Sequence, residues 1–112
     1  MSNESLSGKS SVIARTFSAK DINSILKHPY IWPRVSDKGQ NIDEYEPPMK
    51  GNHYLYGEGV LFILHAVGDD VKIHANVLPE KREVAEGAAV IALKYAFEEM
   101  KALRVIALIP SE

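Results

Sequence analysis

A chain of 112 residues with an apolar share of 46% is long enough for one domain with a real core. Its 13 basic and 15 acidic side chains leave a net charge of −2 and no basic stripe, which argues against nucleic acid or an anionic membrane as the main partner. Cysteine is absent, which removes disulfides, thiolate metal sites and thiol nucleophiles and fits a cytoplasmic or virion protein; no apolar run approaches the ~18 residues of a membrane span, and the first residues hold no apolar signal core.

Residues 1–10 are Ser-rich and polar and read as a disordered arm, followed by a single domain over 11–112. Ser11 to Phe17 reads as a first strand. Ser18 with Asp21 three residues on gives an N-cap and an acidic first turn, predicting a helix through Ile22, Ile25 and Leu26 that Pro29 stops. From His28 to Asn52 four prolines and two glycines interrupt scattered aromatics, a length of irregular chain that is usually functional or loosely ordered.

His53 to Tyr56 reads as a short strand, Gly57 to Gly59 as a turn and Val60 to Val67 as the next strand. Asp69 and Asp70 make a tight hairpin into Val71 to Val77, which alternates apolar and polar as a half-buried strand does. Pairing Gly68 with Val71 sets Phe62, Leu64 and Ala66 against Val77, Ala75 and Ile73 on one apolar face. The other face is then mixed, with His65 opposite His74 and Ile63 opposite Asn76. A loop over Arg82 to Ala88 leads into a helix from about Gly87 to Leu103, with Ala89, Leu93, Ala96, Met100 and Leu103 as its buried stripe and Lys94, Glu98, Glu99 and Lys101 as its solvated side. Arg104 to Ile109 is the last strand, parallel to Val71–Val77 if the crossover is right-handed. The fold class is therefore α/β in the α+β sense, a mixed, mainly antiparallel sheet with a strand-loop-helix-strand unit near its end.

That unit carries a family likeness. Val77-Leu78-Pro79-Glu80 followed by Arg82-Glu83-Val84-Ala85-Glu86-Gly87, with Arg104 to Glu112 as the following strand, resembles motif A of the GNAT N-acetyltransferase superfamily, whose signature is Arg/Gln-x-x-Gly-x-Gly/Ala. The wording is also similar to divergent GNAT-like proteins of tailed phages and prophages, some of which carry a head-assembly label. The resemblance implies acetyl-CoA as cofactor and an amine as acceptor. The backbone of Val77 and Leu78 would align the thioester, and Arg82, Glu83, Val84, Ala85, Glu86, Gly87 and Ala88 would hold the pyrophosphate, a role that suits a strand end rising into a helix start.

The sequence departs from the pattern in three places. Ala85 stands where the signature has its first glycine. Glu80, Glu83 and Glu86 outnumber Lys81 and Arg82, leaving segment 80–87 one charge negative against a diphosphate. The likeness stops at the fifth strand, before the helix and strands on which the family carries its cofactor-binding Asn and acidic Tyr, so the chain reads as an abbreviated domain.

His74, with His65, is the candidate general base, since neutral imidazole accepts a proton from an amine near pH 7; otherwise the two are half-exposed strand histidines. A metal site from that pair lacks a third ligand, and none is expected. Tyr30, Trp32, Tyr45, Tyr54 and Tyr56 either line an acceptor cleft or pack over a thin core. Two functions stay open: acetyl transfer to an amine, or a non-catalytic structural or assembly component of phage type. The apolar edge Val105, Ile106, Leu108 and Ile109 predicts a homodimer through the C-terminal sheet edge.

Overall fold

A computed structural model describes residues 13–108; the expected arm and the ends of the first and last predicted strands lie outside them. The chain runs β1 (Ala14–Thr16), α1 (Ala19–Leu26), a short α2 (Trp32–Val35), a 3-10 turn at Ile42–Glu44, β2 (His53–Gly57), β3 (Val60–Val67), β4 (Asp70–Val77), a 3-10 turn at Pro79–Lys81, α3 (Arg82–Glu98) and β5 (Arg104–Leu108). One sheet has the order β1-β2-β3-β4-β5. Its first four strands pair antiparallel, and β5 runs parallel to β4 after the α3 crossover. This is the mixed, mainly antiparallel α+β architecture expected from the sequence.

Local chemistry explains several of these elements. Ser18 has extended backbone and its hydroxyl accepts from the Asp21 N–H at 3.2 Å, satisfying one of the donors that a helix start leaves open. The β2–β3 hairpin closes with Glu58 and Gly59 both at positive φ (52° and 78°), the two-residue turn whose twist matches its strands. Gly59 is further constrained because a Cβ there would meet the Lys81 side chain at 2.6 Å, where the turn before α3 crosses the hairpin.

Two boundaries differ from the sequence reading. The β3–β4 turn is Gly68-Asp69, with Gly68 at φ 63°, so Val67 pairs with Asp70, Ile63 with His74 and His65 with Lys72. The expected register slips by two residues. Because a slip of two preserves the alternation of side chains, each residue keeps its face. The segment 82–88, expected as a loop, is the first two turns of α3, and the helix ends at Glu98 rather than Leu103. Of the expected stripe Ala96 is buried and Ala89 and Met100 pack partly buried against the core, whereas Leu93 is 41% and Leu103 77% exposed and Ala88 and Ala92 take the innermost places. Lys101, at φ 60°, turns the chain out of the helix toward β5.

The sheet is covered on both sides. On one face α3 packs its alanines against Leu55, Phe62, Leu64, Val71 and Ile73, small residues that let helix and sheet approach closely. On the other, Ile22, Ile25 and Leu26 of α1, with Ile31, cover Tyr54 and Leu61. Each fully buried large aliphatic contributes about 1.5–3 kcal/mol. α1 spans only eight residues, so the β4 end of its face is left to the irregular segment between α2 and β2.

Candidate functional site

On the α1 face, where that covering thins, lies a cleft of about 610 Å³, within the usual range for small-molecule sites. Its floor is strand: Ile63 and His65 from β3, His74 and Asn76 from β4, and Ala107 and Leu108 from β5. Its walls come from Leu26, Trp32, Tyr45, Pro48 and Asn52. The described β4–β5 pairing runs to His74 opposite Leu108, and the cleft lies over this end of the sheet.

The walls are held by specific contacts. Trp32 and Tyr45 meet edge to face with centroids 5.3 Å apart. The Tyr54 hydroxyl donates to the Pro48 carbonyl at 2.7 Å, tying the irregular segment to β2. Burial, with a smaller push from Tyr45, raises the Tyr54 hydroxyl to about 12, and burial also raises Tyr45, so both stay protonated. Arg34 lines the cleft, but its guanidinium donates to the Tyr30 carbonyl at 2.9 Å and sits 4.0 Å from the centre of the Tyr30 ring.

His65 and His74 stack with centroids 5.8 Å apart and planes inclined by 17°. They are diagonal rather than direct neighbours, as the register requires. Burial first, then His65 and Lys72, push His74 below the ordinary imidazole value, so its ring is neutral near pH 7 and can accept a proton. Among the described residues no carboxylate lines this cleft. A shallower recess shares Val35, Gln40, Tyr45 and Pro48 with it and adds Asp37, Glu44 and Glu46, giving the cleft an acidic outer rim.

The fold thus brings His74 together with His65, Trp32, Tyr45 and Tyr54, while Tyr30 and Tyr56 pack at the α1 core without lining the cleft. Val77, Leu78 and residues 82–88 do not line it either; they continue from its floor along β4 into the start of α3. There Lys81 makes no side-chain cap, so the N-terminal donors of α3 lack that partner. A Cβ on Gly87 would meet nothing within 4 Å. Arg82 reaches across to the Tyr30 hydroxyl at 3.2 Å. Glu83 and Glu86 are exposed on the same two turns, and Ala85 is half-buried.

Two features escaped the sequence reading. Asn76 is only 5% exposed and its amide nitrogen has no hydrogen-bond partner among the described residues. On the opposite face Arg15, His53 and Tyr95 form a triangle: the Arg15 Nη1 donates to the Tyr95 hydroxyl at 2.6 Å and lies 2.7 Å from His53 Nδ1, which is 2.8 Å from that hydroxyl. Its members are 38 and 42 residues apart in successive steps along the chain, so no local pattern announces it. Among the described residues no group of three His, Asp or Glu is arranged for a metal, and no helix is long and apolar enough to cross a membrane. In comparisons with known proteins, no family model, no curated protein and no solved structure matches the chain.

Proposed function

We propose that this is a cytoplasmic, GNAT-like acyl-CoA-binding domain that transfers an acetyl group from acetyl-CoA to an amine. The observation that carries the reading is the cleft over β3, β4 and β5, with His74 on its floor and β4 running on into the start of α3. The order of strands and helices agrees with what the motif resemblance implies up to the fifth strand. Two features support a cofactor at this place: the start of α3 lacks a side-chain cap, and Gly87, exposed on its second turn, leaves room for close approach to the helix.

In this reading the backbone of Val77 and Leu78 and the first turns of α3, from Arg82 to Ala88, hold the cofactor. When bound, acetyl-CoA supplies an activated acyl group. His74, neutral for the reasons given, would take the proton that the amine loses as its nitrogen bonds to the acyl carbon, while the carbon–sulfur bond breaks and the leaving thiolate picks up that proton or one from solvent. Trp32, Tyr45 and Leu26 keep water from the acceptor and restrict its orientation, where most of the rate gain of such a site arises.

A second reading is favoured by one observation. The carboxylates Glu80, Glu83 and Glu86 surround the helix start while Arg82 is turned to Tyr30, which suits a non-catalytic structural or assembly component of the phage type. A titration separates the two. Acetyl-CoA is expected to bind weakly, in the high-micromolar to millimolar range of about −4 to −6 kcal/mol, with amide shifts centred on Val77 to Ala88. Replacing Glu83 and Glu86 by Gln should tighten it. No response at millimolar ligand, in either protein, leaves the structural reading.

A further inference from the structure

Buried polar groups in native proteins are almost always paired, and an unpaired one calls for a cause. Asn76 stands in the cleft floor directly opposite the fully buried Leu61, 5% exposed, with its amide nitrogen unpartnered among the described residues. Which end of the amide points outward is fixed only by its partners; a ligand that offers an acceptor would turn the nitrogen toward itself.

The surroundings restrict what that acceptor can be. An ammonium offers the amide nitrogen no acceptor, and among the described residues the carboxylates stand at the rim rather than in the cleft lining. An anion meets the acidic rim of Asp37, Glu44 and Glu46, and the Arg34 guanidinium in the lining is already committed to Tyr30. A neutral carbonyl oxygen satisfies the amide with neither penalty. The body attached to it would lie between Trp32, Tyr45 and Tyr54, which favour a flat arene.

We infer that the cleft is a binding site for a neutral aryl carbonyl compound, of the amide or ester class, whose oxygen accepts a hydrogen bond from the Asn76 side chain. This stands on the cleft itself; if the chain transfers acetyl groups, the neutral amide is the class of product that the transfer yields, and the amine reacts as its uncharged form. Three probes with one arene test it: N-benzylacetamide, which is neutral, benzylamine, a cation, and phenylacetate, an anion. N-Benzylacetamide should shift the signals of Trp32, Tyr54 and Asn76 at about 10 mM or below, and the two charged probes should bind at least about tenfold more weakly. Asn76→Leu should weaken the amide by about tenfold, the loss of one buried hydrogen bond, while its melting temperature holds or rises because the unpaired group is gone. Asn76→Ala, which adds no bulk, should show the same loss of binding. Equal binding of N-benzylacetamide to the wild type and either folded variant, tighter binding of either charged probe, or no shift in the cleft overturns the inference. Because these signals lie outside Val77 to Ala88, either outcome leaves the acetyl-CoA titration to be decided separately.

Discussion

His53 Nδ1 has two donors within reach, the Arg15 guanidinium at 2.7 Å and the Tyr95 hydroxyl at 2.8 Å, and a ring nitrogen can serve them only as an unprotonated acceptor. Protonating the ring would put two positive charges side by side under α3. Burial and, after it, Arg15 accordingly push His53 below its ordinary value of about 6.5. His74 shifts the same way, by burial, then His65 and Lys72. Because the unfolded chain binds these protons more readily than the folded one, stability is fully present above about pH 6.5 and falls as pH drops through the interval down to the folded values. The melting temperature should therefore decline on acidification from about pH 7.5 to pH 5, and His53→Gln should remove part of that slope. An unchanged slope in the variant would show that the triangle does not couple to folding. His65 beside His74 was legible from strand alternation, though as a direct rather than a diagonal neighbour; the neighbours of His53 were not, since Tyr95 reaches it from α3 across 42 residues. Asn76 was missed for a related reason: alternation puts it on the mixed face but does not give how deeply it sits there.

At the scale of single elements, short-range signals carried well and frame-dependent ones did not. Ser18 and Asp21 gave the start of α1 because a cap is made by residues three apart. For α3 the family signature suggested a loop over 82–88, yet Arg82 onward is helical; Ala96 of the expected stripe is buried, but the innermost face is centred on Ala88, Ala92 and Ala96 and leaves Leu93 outward, because small alanines rather than the larger apolar residues take the close contact with the sheet. The β3–β4 register failed by two residues because it depends on Gly68 taking positive φ, which the hydrophobic pattern does not encode. The alanine face makes a sharp prediction. Ala92 is 1% exposed in the main core, so Ala92→Leu should overpack the helix against the sheet and cost about 1–3 kcal/mol in denaturant unfolding. Leu93→Ala, at an exposed position, should change stability by less than about 0.5 kcal/mol. The reverse ranking would mean that the older stripe, with Leu93 inward, is the true frame.

For the whole molecule, sheet order decides where a second copy would dock. Among the described residues β5 pairs only with β4, so its outer edge offers unpaired backbone groups, and Arg104 is anchored at the strand start by Asp70 at 2.7 Å. Val105, Ile106 and Leu108 are half-buried along that strand, leaving an apolar edge of the kind that recruits another strand. A rival surface exists on α3, where Val90, Leu93 and Phe97 are 57%, 41% and 47% exposed at helical spacing. Edge pairing adds a ladder of backbone hydrogen bonds to the apolar contact, whereas the helix stripe offers three side chains only. We therefore expect a homodimer through β5 whose sedimentation mass falls toward the monomer on dilution. The double variant Leu93→Lys with Phe97→Lys should leave that equilibrium intact, since it places charge on a face that faces solvent in both states. A monomeric mass at high micromolar concentration would exclude the dimer, and loss of dimer in the α3 variant would move the interface from the sheet edge to the helix.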